Sequence, residues 1–199
     1  MEILNYARSP ARSRRLSGAR LAVAFHLVMA VQNPLNAGPT DQQLDEYQVK
    51  AAFIYNFARF VQWPSEASRN PSDPITICIL GPDLFGRTLD GIVAGRAIEG
   101  RTFVVRRIAA VKEAPACQIL FFSAIQGARS SPILAELKTP GILTIGDSDA
   151  SGLDGVVVNF KLEDSRVRFA INMEAATYQK LQISSRLLNL AYLIRPKHK

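Results

Sequence analysis

The sequence predicts an α/β fold: a mixed, largely parallel sheet with helices on both faces and a C-terminal β-hairpin followed by a helix. Three observations carry that expectation. Short apolar runs at 75–80, 118–123 and 141–147 hold almost no charge, as strands buried on both faces require. Helical segments fall between such runs, giving the strand–helix–strand order of a parallel sheet. Near the end, two strand-like runs at 155–162 and 166–172 are separated by three polar residues, which is hairpin spacing. A chain of 199 residues, 48% hydrophobic and 21% charged, has the material for one domain with a real core.

The opening element is a helix ending at Trp63. Leu44, Tyr47, Ala51, Ile54, Ala58 and Val61 fall at the three-then-four spacing of one helical face. Phe53, Phe57 and Phe60 widen that face until only Lys50, Asn56, Arg59 and Gln62 favour water. A helix this apolar must pack on more than one side. Thr40 with Gln43 fits a capping box at its start. Pro64 disfavours helical geometry at Trp63 and stops it.

After a polar loop with two further prolines, ITICIL (75–80) reads as a buried strand. Gly81-Pro82-Asp83 turns into a short helix from Leu84 to about Val93, with Asp83 as N-cap. A turn bracketed by Gly95 and Gly100 leads to the strand 102–108, which has one wetter face. A brief helical turn at 109–114 precedes QILFFS (118–123), the most apolar strand and the expected centre of the sheet. A helix from about Pro132 to Lys138 and the strand 141–147 follow. In the hairpin, Arg166, Arg168 and Ala170 alternate with Val167, Phe169 and Ile171 across the turn Glu163-Asp164-Ser165. The last helix is expected over Met173–Ile194, interrupted at 182–185, where Ser184 suits a second N-cap. The tail RPKHK is expected to be solvated.

The net charge of +7 suggests nucleic acid until it is located. Residues 1–37 carry Arg8, Arg12, Arg14, Arg15 and Arg20 against Glu2 alone. Without them 19 basic and 16 acidic side chains remain, a net of +3. An Arg-rich start, an apolar run from Leu21 to Val31 and small residues near Ala30 and Ala37 form the three parts of an export signal. That run is too short for a bilayer, which takes about 20 residues. Residues 1–37 are therefore expected to be a cleaved signal peptide and 38–199 a single exported domain, with no direct membrane insertion and no nucleic-acid partner. Export would place Cys78 and Cys117 in an oxidising compartment, where one intramolecular pairing is open to them. Two separate buried thiols are the alternative, and the absence of C-x-x-C argues against a redox-active pair.

Chemistry is bounded mainly by what is missing. The two histidines, His26 and His198, lie in the leader and the tail. The domain between them lacks the commonest general base and the usual zinc ligand. Asp147, Asp149, Ser151 and Gly152 imitate half of a calcium loop, but its twelfth position is Val158 where a bidentate Glu is needed. A polar turn is the plainer reading. Gly81–Gly86 sits where phosphate binds in such folds, yet it lacks G-x-G-x-x-G spacing and carries Asp83. Arg96, Arg101, Arg106 and Arg107 read as a solvated face. No catalytic residue, metal or cofactor is assigned, and the chain is read as a non-enzyme.

Several blocks in order, YQVKAAFIYNFARFVQWP, ITICILGPDLFG, CQILFFS, GILTIGD and VRFAINMEAATYQKLQISSRLLNLA, resemble the YfiR family over about residues 44–194. That resemblance implies a periplasmic protein that binds the periplasmic sensor domain of a membrane-bound diguanylate cyclase. Binding would repress cyclic di-GMP synthesis and restrain biofilm formation. It also implies a homodimer and a disulfide between Cys78 and Cys117. Some members carry further cysteines that this chain lacks, so a redox switch through a second bridge is not expected. The partner surface is expected at the exposed edge of the first helix, with Arg59 and Trp63 as contacts, against the reading that Trp63 is core. Two rivals are a small-molecule binder acting with another membrane receptor, its ligand near Gly81–Gly86 and Asp147–Gly155, and an enzyme working without histidine.

Overall fold

The computed structural model describes residues 40–67, 70, 72–122, 134–137, 139–147 and 155–194. The chain divides into two units, Met1–Asn36 and Ala37–Lys199, and every described residue belongs to the second. The leader, the calcium-like residues Asp149, Ser151 and Gly152, and the tail lie outside the described residues.

Helix α1 (Asp41–Phe60) starts where Thr40 Oγ1 accepts the Gln43 N–H at 3.3 Å. It ends where Val61 turns extended, two residues before Trp63-Pro64. The strands are β1 (Val61–Gln62), β2 (Ile75–Leu80), β3 (Ala97–Ile98), β4 (Arg101–Ile108), β5 (Ile119–Phe122), β6 (Leu143–Asp147), β7 (Val158–Glu163), β8 (Arg166–Asn172), β9 (Gln182–Ile183) and β10 (Tyr192–Ile194). Eight of them form one sheet in the order β10-β8-β7-β6-β5-β2-β4-β3, while β1 and β9 pair separately. The central pairs β4–β2, β2–β5, β5–β6 and β6–β7 are parallel, and β7–β8 is the antiparallel hairpin. The α/β class read from the sequence is the one the chain adopts.

Strand alternation divides the core between the two faces of this sheet. Ile77 and Ile79 of β2, Ile119 and Phe121 of β5, and Leu143 and Ile145 of β6 point to the larger core, where α1 supplies Tyr47, Ala51, Ile54, Phe57 and Ala58. Cys78, Leu80, Leu120 and Phe122 point the other way, into a smaller core with Ala114, Cys117 and Leu137. The Cys78–Cys117 disulfide lies there, with Cα atoms 5.9 Å apart, and ties β2 to the segment entering β5. That face is covered by the 3-10 turn Val111–Ala116 and residues 134–137, of which 134–136 are helical; the rest of the helix expected over 132–138 is not described.

Three local expectations need correction. Helix α2 runs only over Thr88–Val93, because Asp83 Oδ1 accepts the N–H groups of Phe85 and Gly86 and closes a turn ahead of it. The final helix is replaced by α3 (Met173–Tyr178), β9, α4 (Ser185–Leu188) and β10. Ser184 does cap α4, but Tyr192–Ile194 pairs with β8 as the sheet's edge strand. Finally, Lys50 does not face water: it is 3% exposed.

Candidate partner-binding groove

The groove that holds Arg59 and Trp63 opens at the amino-terminal ends of the central strands. Its floor comes from Ile75 at the start of β2, Arg101 at the start of β4 and Gln118 just ahead of β5. Trp63 is half-buried, packs on the larger core and donates its Nε1–H to the Gln118 carbonyl at 3.1 Å. The ring thus packs as the core reading of Trp63 expects, while the residue also lines the open groove. Gln118 is itself pinned, accepting the Thr76 N–H at 2.8 Å and donating to the Ala67 carbonyl at 3.1 Å. Arg101 donates its Nε–H to the Asp73 carbonyl at 2.7 Å. Its buried Nη2 has no hydrogen-bond partner among the described residues. The hollow measures about 650 Å³ and is also lined by Arg59, Gln62 and Glu99. A second hollow of about 510 Å³ shares Arg59 and Gln62 and adds Gln182 and Arg186.

The four arginines grouped by sequence have separate fates. Arg107 is held by Asp83 at 2.8 Å and by Asp90 at 2.6 Å, and it keeps the Asp90 carboxyl below its ordinary range. Arg96 lies 4.7 Å from the Tyr55 ring centre, in cation–π range. Arg106 is exposed on β4, and only Arg101 enters the groove. Arg186 and Gln118 join the groove from segments that no spacing rule connects to α1.

At the carboxyl ends of the strands, the region of the rival small-ligand reading, residues 148–154 lie outside the described residues, and the described side chains beside β6 pack closely. Phe85 packs edge-on against Tyr47 at 5.1 Å and Phe121 at 4.7 Å. Asp147, the last residue of β6, accepts from the Tyr47 hydroxyl and from Lys50 Nζ at 2.5 Å, and Lys50 also pairs with Glu46. Burial, followed by the Asp147 charge, pushes the Tyr47 phenol well above its ordinary value. The nearby hollow beside Arg107 is lined by Gly86, Arg87, Asp90 and Ala94, but the Arg107 donors are already committed to Asp83, Asp90 and the Gly86 carbonyl. Among the described residues, no three or more His, Cys, Asp or Glu side chains gather as a metal site. No described helix is long and apolar enough to cross a membrane.

The DUF4154 family model, described as YfiR/HmsC-like, matches residues 47–192, from the Tyr47 of α1 to the first residue of β10. The chain belongs to the YfiR/HmsC-like family. This is a family of periplasmic, regulatory proteins. Curated proteins provide no match to the chain. As a YfiR/HmsC-like protein it carries its family-matched region across both the groove and the buried Tyr47–Asp147 pair.

Proposed function

We propose that the protein is a non-catalytic periplasmic regulator that binds the periplasmic sensor domain of a membrane-bound diguanylate cyclase and lowers cyclic di-GMP synthesis. Family membership over residues 47–192 carries this reading. The open groove with Arg59 and Trp63 supports it, because exposed arginine beside a fixed aromatic ring is the composition of protein-contact hot spots. On this reading residues 1–37 are the signal peptide, 38–199 the working domain, and the protein acts as a homodimer. Binding one conformation of the sensor draws its equilibrium toward that state, in proportion to the difference in affinity for the two. Deleting the protein should raise cellular cyclic di-GMP, and affinity capture of the exported form from membranes should recover a protein with a cyclase output domain. An unchanged cyclic di-GMP level on deletion would refute the assignment.

One observation favours a second reading. The 650 Å³ hollow is within the range of about 300–1,000 Å³ for small-molecule pockets. A thermal-shift screen against small metabolites separates the two, since a large stabilisation by one compound marks a ligand-sensing relative acting with another receptor.

A further inference from the structure

We propose that the two adjoining hollows receive an extended acidic segment of the partner protein, with Arg59, Arg101 and Arg186 reading its carboxylates. The inference rests on the partner-binding reading above and specifies the chemistry of what is bound. The described ion pairs engage only Lys50 and Arg107 as cations, so none of these three arginines is neutralised by a described residue. Arg101 lines the larger hollow, and its Nη2 lacks a hydrogen-bond acceptor among the described residues, so a small shift of the guanidinium toward an added carboxylate would satisfy it. Glu99 is the one acidic side chain among the described lining residues of either hollow. The local field therefore favours an anion.

The three cations come from α1, β4 and α4, at points spread along two hollows that share Arg59 and Gln62. Carboxylates spaced along a chain match that arrangement, whereas one small carboxylate satisfies a single arginine. Trp63, Phe60 and Ile183 line the hollows as apolar surface between the charges. Guanidinium–carboxylate pairs are geometrically specific and stronger than neutral hydrogen bonds.

The test uses a fluorescein-labelled octaglutamate peptide and anisotropy titration against the protein prepared from its full-length chain. Saturable binding is expected, with Arg59→Gln, Arg101→Gln and Arg186→Gln each weakening it about fivefold. Arg106→Gln and Arg168→Gln, both exposed and outside the groove, serve as controls and should change it less than twofold. Arg101→Lys, which keeps the charge, guards against a folding artefact, and circular dichroism melts accompany every variant. Equal weakening by groove and control variants would reduce the effect to general charge attraction and overturn the proposal. Displacement of the peptide by citrate at matched carboxylate concentration would overturn the peptide as occupant. If deletion leaves cyclic di-GMP unchanged while the peptide still reads the three arginines, the cyclase assignment falls and the groove stands. If deletion raises cyclic di-GMP but peptide binding does not depend on the arginines, the groove falls and the cyclase assignment stands.

Discussion

The Tyr47 hydroxyl donates to the buried carboxylate of Asp147, one hundred positions further along the chain. This bond joins the second turn of α1 to the end of the central strand β6, and Lys50 reaches the same carboxylate from the next turn. A carboxylate only 8% exposed is tolerable because one neutral and one charged donor satisfy it.

Removing that carboxylate should therefore cost more than its own hydrogen bonds. Asp147→Ala leaves the Lys50 ammonium buried with Glu46 as its remaining partner and strips the Tyr47 hydroxyl of its acceptor. A loss of about 3–5 kcal/mol is expected, the range for breaking a buried ion pair from one side. Urea denaturation at neutral pH measures it. A loss under 1 kcal/mol would show that water reaches the cluster and screens it.

Alkaline pH addresses the same bond through Tyr47. Its phenol is raised in the folded protein, so the unfolded chain gives up this proton first, at about pH 10. The stabilisation is fully present below that value and is lost as pH rises beyond it, by up to about 1.4 kcal/mol per pH unit. Tyr47→Phe removes this slope. The difference in unfolding free energy between wild type and variant should shrink from pH 9 to pH 11, and a constant difference would contradict the protonation argument.

Most of the strand framework was legible because buried parallel strands leave a local signature: charge-free, β-branched runs such as 75–80 need no knowledge of their neighbours. The hairpin was legible from a different signal, alternating residues on either side of a short polar turn, and its turn residues Asp164 and Ser165 have φ of 49° and 59°, the hand that two-residue hairpins require. Lys50 was misread because lysine is rarely buried without a partner, and its partner Asp147 is supplied by β6 across the fold. Tyr192–Ile194 was misread because apolar spacing alone does not separate a short helix end from an edge strand. In the groove, Arg59 and Trp63 could be named from α1 and its proline stop. Arg186 could not, since only the pairing of β9 with β1 brings it there.

The Cys78–Cys117 bridge should behave as a static clamp. With the cysteines 39 positions apart in sequence, loop-closure entropy gives about 4 kcal/mol of stabilisation. For a domain of this size that corresponds to a fall in Tm of about 10 °C in the Cys78→Ala/Cys117→Ala protein. Both cysteines are buried in the smaller core, so dithiothreitol should reduce the bridge only as fast as the fold opens. Rapid reduction of the folded protein, followed by mass spectrometry after alkylation, would show an accessible bridge instead.

Two backbone positions with positive φ make opposite predictions. At Lys180 (φ 55°) the N–H groups of Lys180 and Leu181 return to the Thr177 and Ala176 carbonyls, the hydrogen-bond pattern of a helix end that favours glycine at this site. Lys180→Gly should stabilise the protein by about 0.5–1 kcal/mol, the usual relief of left-handed strain less the entropy glycine adds to the unfolded chain. At Gly141 (φ 94°) an added Cβ would stand 2.7 Å from the Ala67 Cβ and 3.3 Å from Pro64 Cγ, and neither neighbour can rotate away. Gly141→Ala should cost about 2–4 kcal/mol, combining strain in φ with overpacking. Since the Ala67 carbonyl holds Gln118, whose own carbonyl holds Trp63, the displacement should carry into the groove. Trp63, the single tryptophan of the chain, reports this directly: its fluorescence should change in Gly141→Ala under native conditions and stay constant in Lys180→Gly.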